Sequence, residues 1–256
     1  MSLPRFPGKF GHPAIFTAGD LAARTPGAGP VPERMLICFQ DRVFSYATRK
    51  YRGRKLQAPF GEISRLRRAA DGRVGVAGRF GIGAPAAVFV LEWLAALGAR
   101  TFTVVGFAGG LHERQRAGDL VVCTRALRDE GTSYHYLPPA QYAEPDMELT
   151  AQFTAALNQL GYAHERGASW TIDAPFRETF AEVEHYRSMD ILTVEMEAAA
   201  LFSASAYLGT ACAAAFAIGD GPKDDRWQID FDRRALNTGL EKLVDAAVAT
   251  LAAEPV

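Results

Sequence analysis

The chain has 256 residues, of which 48% are hydrophobic and 22% charged, with a formal net charge of −1. Those values are ordinary for a globular protein and exclude a disordered chain. A charge so near zero also excludes a global basic field that would recruit nucleic acid or acidic lipid, and the arginine clusters at 49–54 and 65–68 read as solvated faces.

Short apolar runs alternate with helical patterns. Met35–Phe39 predicts a strand, with a helix from about Asp41. Val74–Ala77 predicts a second strand. Gly81 and Gly83 then make a turn, and Pro85 fits the first turn of a helix that runs to about Leu97 and stops at Gly98. Thr101–Val105 is β-branched and apolar, as a strand buried on both faces should be. Leu120–Thr124 predicts a further strand, Asp146–Leu160 a helix stopped by Gly161, and Arg177–Tyr186 another helix. The last helix runs from about Arg234 to Leu251.

From Ala198 to Ile218 the chain carries no charge for 21 residues. A spanning helix needs about 20 strongly apolar residues, but this run is mostly alanine and contains Ser203, Ser205, Tyr207, Gly209 and Thr210. Gly209 divides it into a helix, Met196–Leu208, and a buried strand, Ala211–Ile218. No membrane segment is expected. Cys38, Cys123 and Cys212 form no C-x-x-C pair and sit in apolar runs, which points to buried, reduced thiols. The start has no hydrophobic stretch of signal length, so a cytoplasmic protein is expected.

Strands alternating with helices predict an α/β fold with a parallel or mixed sheet covered on both faces. With no linker, repeat or low-complexity block, residues 1–256 are expected to form one domain. Charge-free strands such as TFTVV and AAAFAI belong at the centre of the sheet. Ligands in such sheets bind beyond the carboxyl ends of the strands, which directs attention to five places.

After Val105 comes Gly106-Phe107-Ala108-Gly109-Gly110, a tight turn or a close backbone approach to a ligand. After Thr124 comes a dense polar segment, Arg125–Tyr136. After Ile172 come Pro175, Phe176 and Arg177, where the aromatic belongs either to the core or to a stacking surface. After Val194 stands Glu195-Met196-Glu197. Acids there either answer the unpaired amides and dipole of a helix start or form a carboxylate that accepts hydrogen bonds from a vicinal diol such as ribose. After Ile218 comes Gly219-Asp220-Gly221-Pro222, a plain turn or an acid at the lip of a cleft.

Together these segments resemble the nucleoside phosphorylase/uridine phosphorylase family and its hydrolytic relatives, the methylthioadenosine/adenosylhomocysteine nucleosidases. VEMEAAALF is similar to that family's V-E-M-E-(A/S)-A signature. GFAGGLHERQRAGDLVV is similar to its glycine loop and following strand, RFGIGAPAAVFVLEWL to its G-I-G turn and helix, and RDEGTSYHYLPP to a uridine phosphorylase loop. The resemblance covers about Val74 to Asp220. It implies a mixed, partly barrel-like central sheet flanked by helices, and a homo-oligomer, either hexamer, trimer or dimer.

By the same resemblance, Glu197 would hold the ribose hydroxyls, Met196 would pack under the sugar, and Glu195 would support the site. Asp220 occupies the place of the acid that protonates a leaving purine. Phe176 lies in the segment that supplies a base-stacking aromatic, with Pro175 in the aligned position. Phe107, Ala108 and Gly109 would border the base, and Gly106, Arg42 and Arg128 are the candidates for phosphate. His12 would reach a neighbouring subunit's ribose.

The sequence also departs from the family. Where the phosphorylases carry G-D-P-x-x-R after the first strand, this chain has Gln40-Asp41-Arg42; another Gly-Asp pair, Gly19-Asp20 with Arg24, follows no evident strand. The phosphate arginine's position holds Val104, and Phe107 replaces the hydroxyl residue. The nucleosidases share the missing arginine. The expected activity is a nucleoside phosphorylase of nucleoside salvage acting on a purine or pyrimidine nucleoside, with a nucleosidase using water or a non-catalytic nucleoside binder as alternatives. His12, His112, His135, His164 and His185 show no ligand spacing, so neither a metal nor an organic cofactor is expected, phosphate being a co-substrate.

Overall fold

A computed structural model describes Phe6 and residues 8–223, 226–229 and 232–253. Among these, eleven strands form one sheet whose halves differ in shape. In the open half, β1 (Arg34–Cys38) lies parallel to both β4 (Val74–Gly78) and β5 (Thr101–Gly110). A polar hairpin of β2 (Gly53–Leu56) and β3 (Glu62–Leu66) extends that edge.

The other half curls into a ring. β5 pairs parallel with β10 (Ala211–Lys223), and β10 runs antiparallel to β6 (Leu120–Asp129). β6 pairs parallel with β8 (Glu165–Ile172), and β8 with β9 (Ile191–Glu195). β9 then closes the ring by pairing antiparallel with the far end of β5, at Gly109↔Val194 and Gly110↔Thr193. The mixed, partly barrel-like sheet implied by the sequence is the observed one. β7 (Tyr142–Ala143) adds to β6, and β11 (Arg226–Gln228) forms a hairpin with the end of β10.

Helices cover both faces. α3 (Ala84–Ala96) and α6 (Ala198–Leu208) pack on one side. α2 (Asp41–Lys50), α4 (Met147–Gln159) and α7 (Arg233–Ala252) pack on the other. The remaining helices are α1 (Ala18–Arg24), begun by a Thr17/Asp20 capping box, and α5 (Phe180–Ser188). The long uncharged run divides as its glycine predicts: Gly209, at φ 66°, caps α6, and β10 follows. None of the described helices is long and apolar enough to cross a membrane. All three cysteines are buried and unpaired.

Several predicted boundaries move outward for one reason. The segments GFAGG, RALRD and GDGP look like loops because they are rich in glycine, charge or proline. All three are strand, because closing the ring requires β5, β6 and β10 to run on past the open sheet. The helix expected from Met196 begins instead at Ala198, with Glu197 as its N-cap residue in a non-helical conformation. α5 begins at Phe180 rather than near Arg177, where Thr179 and Glu182 form its capping box.

α6 is the platform of the ring's mouth, and its residues from Ala198 to Ser205 are buried. Phe202, 1% exposed, is its largest core side chain. A Phe202→Ala variant is expected to lose about 3–5 kcal/mol of stability by cavity formation, read as a lower urea midpoint with an unchanged slope.

Candidate active site

The carboxyl ends of β1, β5, β9 and β10, with the segment after β8, surround a cavity of about 520 Å³, a size suited to a small organic ligand. Four of the five predicted strand ends meet there: Phe107–Gly109, Pro175 with Phe176, Glu195–Glu197 and Asp220.

Glu195 ends β9 and is buried. Its Oε2 accepts hydrogen bonds from the backbone N–H groups of Glu197 (2.8 Å) and Ala198 (2.7 Å), the first amides of α6. Its Oε1 accepts from the hydroxyls of Thr171 (2.5 Å) and Ser169 (3.2 Å) on β8. Burial raises its pKa, and these hydrogen bonds oppose the rise. A carboxylate saturated in this way joins strand to helix and has no lone pair directed at a ligand.

Glu197 is held differently. Its Oε1 accepts a hydrogen bond from the backbone N–H of Gly83 at 2.6 Å. Gly83 sits at φ 94°, a conformation that favours glycine, just ahead of Pro85 at the start of α3. Burial, and then the charge of Glu195, push Glu197 up to about 8. Met196 lies between the two acids on the cavity wall, its methyl 3.9 Å from where a β-carbon on Gly83 would stand.

Asp220 lies across the cavity, just past an irregularity in the β5–β10 register. Burial raises its pKa, while a hydrogen bond from the Trp227 indole opposes the shift. Gly109 faces it. A β-carbon there would stand 2.8 Å from Trp227, 2.9 Å from Val194 and 3.0 Å from Asp220 Oδ1, so the open space depends on this position having no side chain. Phe107 is half-exposed, with its ring lying against Gly219. Pro175 and Phe176 form the lip, where Phe176 is 99% exposed.

The model of the phosphorylase superfamily matches residues 41–252. The chain belongs to the phosphorylase superfamily. It is similar to guanosine phosphorylase of Halorubrum lacusprofundi, 32% identical over 123 residues that cover 48% of this chain and 51% of that protein. It is also similar to uridine phosphorylase of Escherichia coli, 29% identical over 162 residues that cover 58% of this chain and 64% of that protein. The matched regions thus span about half to two thirds of these relatives' length. Among solved structures, purine nucleoside phosphorylase from Toxoplasma gondii in complex with immucillin-H shares the fold at a TM-score of 0.77 and 22% identity, covering 87% of this chain and 91% of that one. Uridine phosphorylase from Vibrio fischeri does so at 0.75 and 22%, covering 89% and 96%.

The residues considered for phosphate are not gathered at this superfamily cavity. Arg42 is exposed on α2 and pairs with Glu241 at 3.1 Å. Arg128 is buried near the end of β6 and turns into the following loop, where it donates to Ser133 Oγ (2.8 Å) and to the carbonyls of Pro138 (2.7 Å) and Leu137 (3.2 Å), with Tyr134 against its guanidinium. Gly106 lies inside β5 beneath the Phe39 ring. Val104 is core. His12 is exposed, beside Phe6.

In their place, Phe39 and Gln40 reach the cavity from the end of β1, and Gln40 Oε1 is buried with no hydrogen-bond partner among the described residues. The lining contains the four acids Glu178, Glu195, Glu197 and Asp220 and no lysine or arginine among the described residues. Phe39 and Gln40 follow the end of β1 directly, so the rule that found the other residues could have found them, whereas Glu178 lies six residues past the end of β8. Trp227 arrives through the β10–β11 hairpin, whose pairing leaves no mark in the sequence.

The two neighbouring glutamates should respond oppositely to neutralisation. Glu195→Gln turns an amide NH2 towards donors and is expected to cost about 2–4 kcal/mol. Glu197 has a folded pKa raised from 4.5 to about 8, so its protonation stabilises the fold fully below the unfolded value, a contribution lost as pH rises through the folded one. Glu197→Gln should remove a fall in stability between those values whose slope approaches about 1.4 kcal/mol per pH unit. Urea titrations of both variants at pH 5, 6, 7 and 8 read both effects.

Proposed function

We propose that this chain is a nucleoside phosphorylase, cleaving the N-glycosidic bond of a purine or pyrimidine nucleoside with phosphate to give free base and ribose 1-phosphate. The observation that carries this reading is the buried Glu197, fixed by the Gly83 amide at 2.6 Å and facing Asp220 across one cavity. Glu197 accepts hydrogen bonds from the ribose 2′- and 3′-hydroxyls, and Met196 supplies an apolar floor to the sugar. Asp220, its pKa raised by burial, holds a proton for the departing base.

In the reaction, a phosphate oxygen bonds to C1′ as the C1′–N bond breaks. The bonding pair leaves with the base, which takes the Asp220 proton. Rate acceleration comes from fixing the sugar and from complementarity to the charge that develops in the transition state. The cations that phosphate requires come from a second copy of the chain in a homo-oligomer. The setting is nucleoside salvage in the cytoplasm, in keeping with three buried, unpaired thiols.

A second reading takes water as the nucleophile, giving free ribose. It is favoured by one observation, the lack of any lysine or arginine among the described lining residues.

Uridine, inosine, adenosine and methylthioadenosine, each incubated with and without phosphate, separate the readings by their sugar product. Ribose 1-phosphate formed only with phosphate is the expected result. Free ribose at equal rates in both buffers selects water, and nucleoside binding without any sugar product selects a non-catalytic binder. Asp220→Asn is expected to lower kcat about 10²–10⁴-fold with nucleoside affinity retained, whereas Glu197→Gln should weaken nucleoside binding itself.

A further inference from the structure

One acid of the cavity has no part in the roles assigned above. Glu178 lies between the turn Pro175–Arg177 and Thr179, the N-cap residue of α5. An acid at such a place ordinarily serves the helix start. Here that duty belongs to Glu182, which accepts from the Thr179 amide at 2.9 Å while its own amide donates to Thr179 Oγ1 at 3.2 Å. Glu178 instead lines the cavity with Asp220, half-buried, and its carboxylate accepts no hydrogen bond from a described residue. The adjacent Arg177 is exposed and stands outside the lining.

A carboxylate in that position is an acceptor pair without donors, and the common bases differ sharply in what they offer it. Uracil presents one N–H flanked by two carbonyls, which a carboxylate repels. Adenine and cytosine set an amino group beside a bare ring nitrogen. Guanine sets N1–H and the 2-amino N–H side by side, matching the two carboxylate oxygens. A purine with N7 towards Asp220 turns that edge away from Asp220, where a second carboxylate can meet it.

We infer that Glu178 reads the N1–H and 2-amino edge of the base, so that the cavity favours nucleosides of 2-amino-6-oxopurines. This rests on the reading of the cavity as a nucleoside site, and it goes beyond that reading by naming the base class and the residue that selects it. A site built to hydrogen-bond a particular group discriminates strongly against analogues lacking it, because its own polar groups are then left unpaired.

Guanosine and inosine differ only by the 2-amino group, so their comparison isolates Glu178. Isothermal titration calorimetry without phosphate should show guanosine binding at least about tenfold tighter than inosine, with uridine weaker than both. In Glu178→Gln that preference should shrink to within about threefold while inosine affinity changes little, because the new NH2 opposes the 2-amino group. Burial, then the charges of Asp220 and Glu182, raise Glu178 to about 7. The wild-type preference should therefore grow from pH 6 to pH 8 and stay flat in the variant. Equal affinity for guanosine and inosine, or a preference that survives Glu178→Gln, overturns the inference while leaving the nucleoside site standing. If guanosine, inosine and uridine all fail to bind at millimolar concentration, the nucleoside site falls and the inference with it.

Discussion

The site depends on Glu195, whose carboxylate occupies the junction of β8, β9 and α6. One oxygen terminates α6 by taking its first two amides, and the other collects two hydroxyls from β8. A buried carboxylate without such partners would lose more in desolvation than any single contact returns. With them, the chain can leave a strand, turn through Met196 and enter a helix within three residues. Glu197 is thereby fixed at the mouth of the ring, close enough to feel its neighbour's charge.

That arrangement gives the cavity its electrostatic character. Glu178, Glu197 and Asp220 are each raised above their ordinary values, in every case with burial as the largest cause. Acids shifted towards neutrality can exchange protons with a ligand at physiological pH, which is where such groups do chemical work. No lysine or arginine among the described lining residues offers an anion a partner, and the aromatic Phe39 stands at the strand end next to Gln40 with its ring against Phe80, 5.7 Å between centroids. One copy of the chain thus offers hydrogen-bonding acids and apolar walls to a neutral ligand, and no described cation to an anion.

The parts of the fold legible in the sequence were those where local pattern and tertiary role agree. TFTVV and AAAFAI are charge-free because they lie next to each other in the middle of the sheet, as β5 and β10. Gly209 ended a helix because only a left-handed residue closes α6 there. Legibility failed where the ring overrode local preference, since Gly106–Gly110 and Gly219–Pro222 carry turn residues yet form strand. The β2–β3 hairpin escaped notice because it is a polar edge with little apolar alternation. For the site, strand ends and motif together named Glu195, Met196, Glu197 and Asp220, all of which line one cavity. The phosphate candidates Arg42 and Arg128 fail because a guanidinium's reach depends on partners that sequence does not reveal. Neither lines the cavity: one turns to Glu241 and the other to the loop that follows β6.

β5 belongs to both halves of the sheet: its first residues pair with β1, and its last two close the ring against β9. β10 is shared in the same way, lying beside β5 and also against β6. The walls that carry Phe107, Gly109 and Asp220 are therefore continuations of the most deeply buried strands, and they have no hinge of their own. The β5–β10 pairing behind them runs from Ala211↔Thr101 to Asp220↔Gly109, so these walls move only with the sheet itself. Passage in and out of the cavity is left to its rim, where Phe176 and Ile229 are almost bare to solvent at 99% and 77% exposure. Access is a matter of what the lip does, while the floor stays rigid.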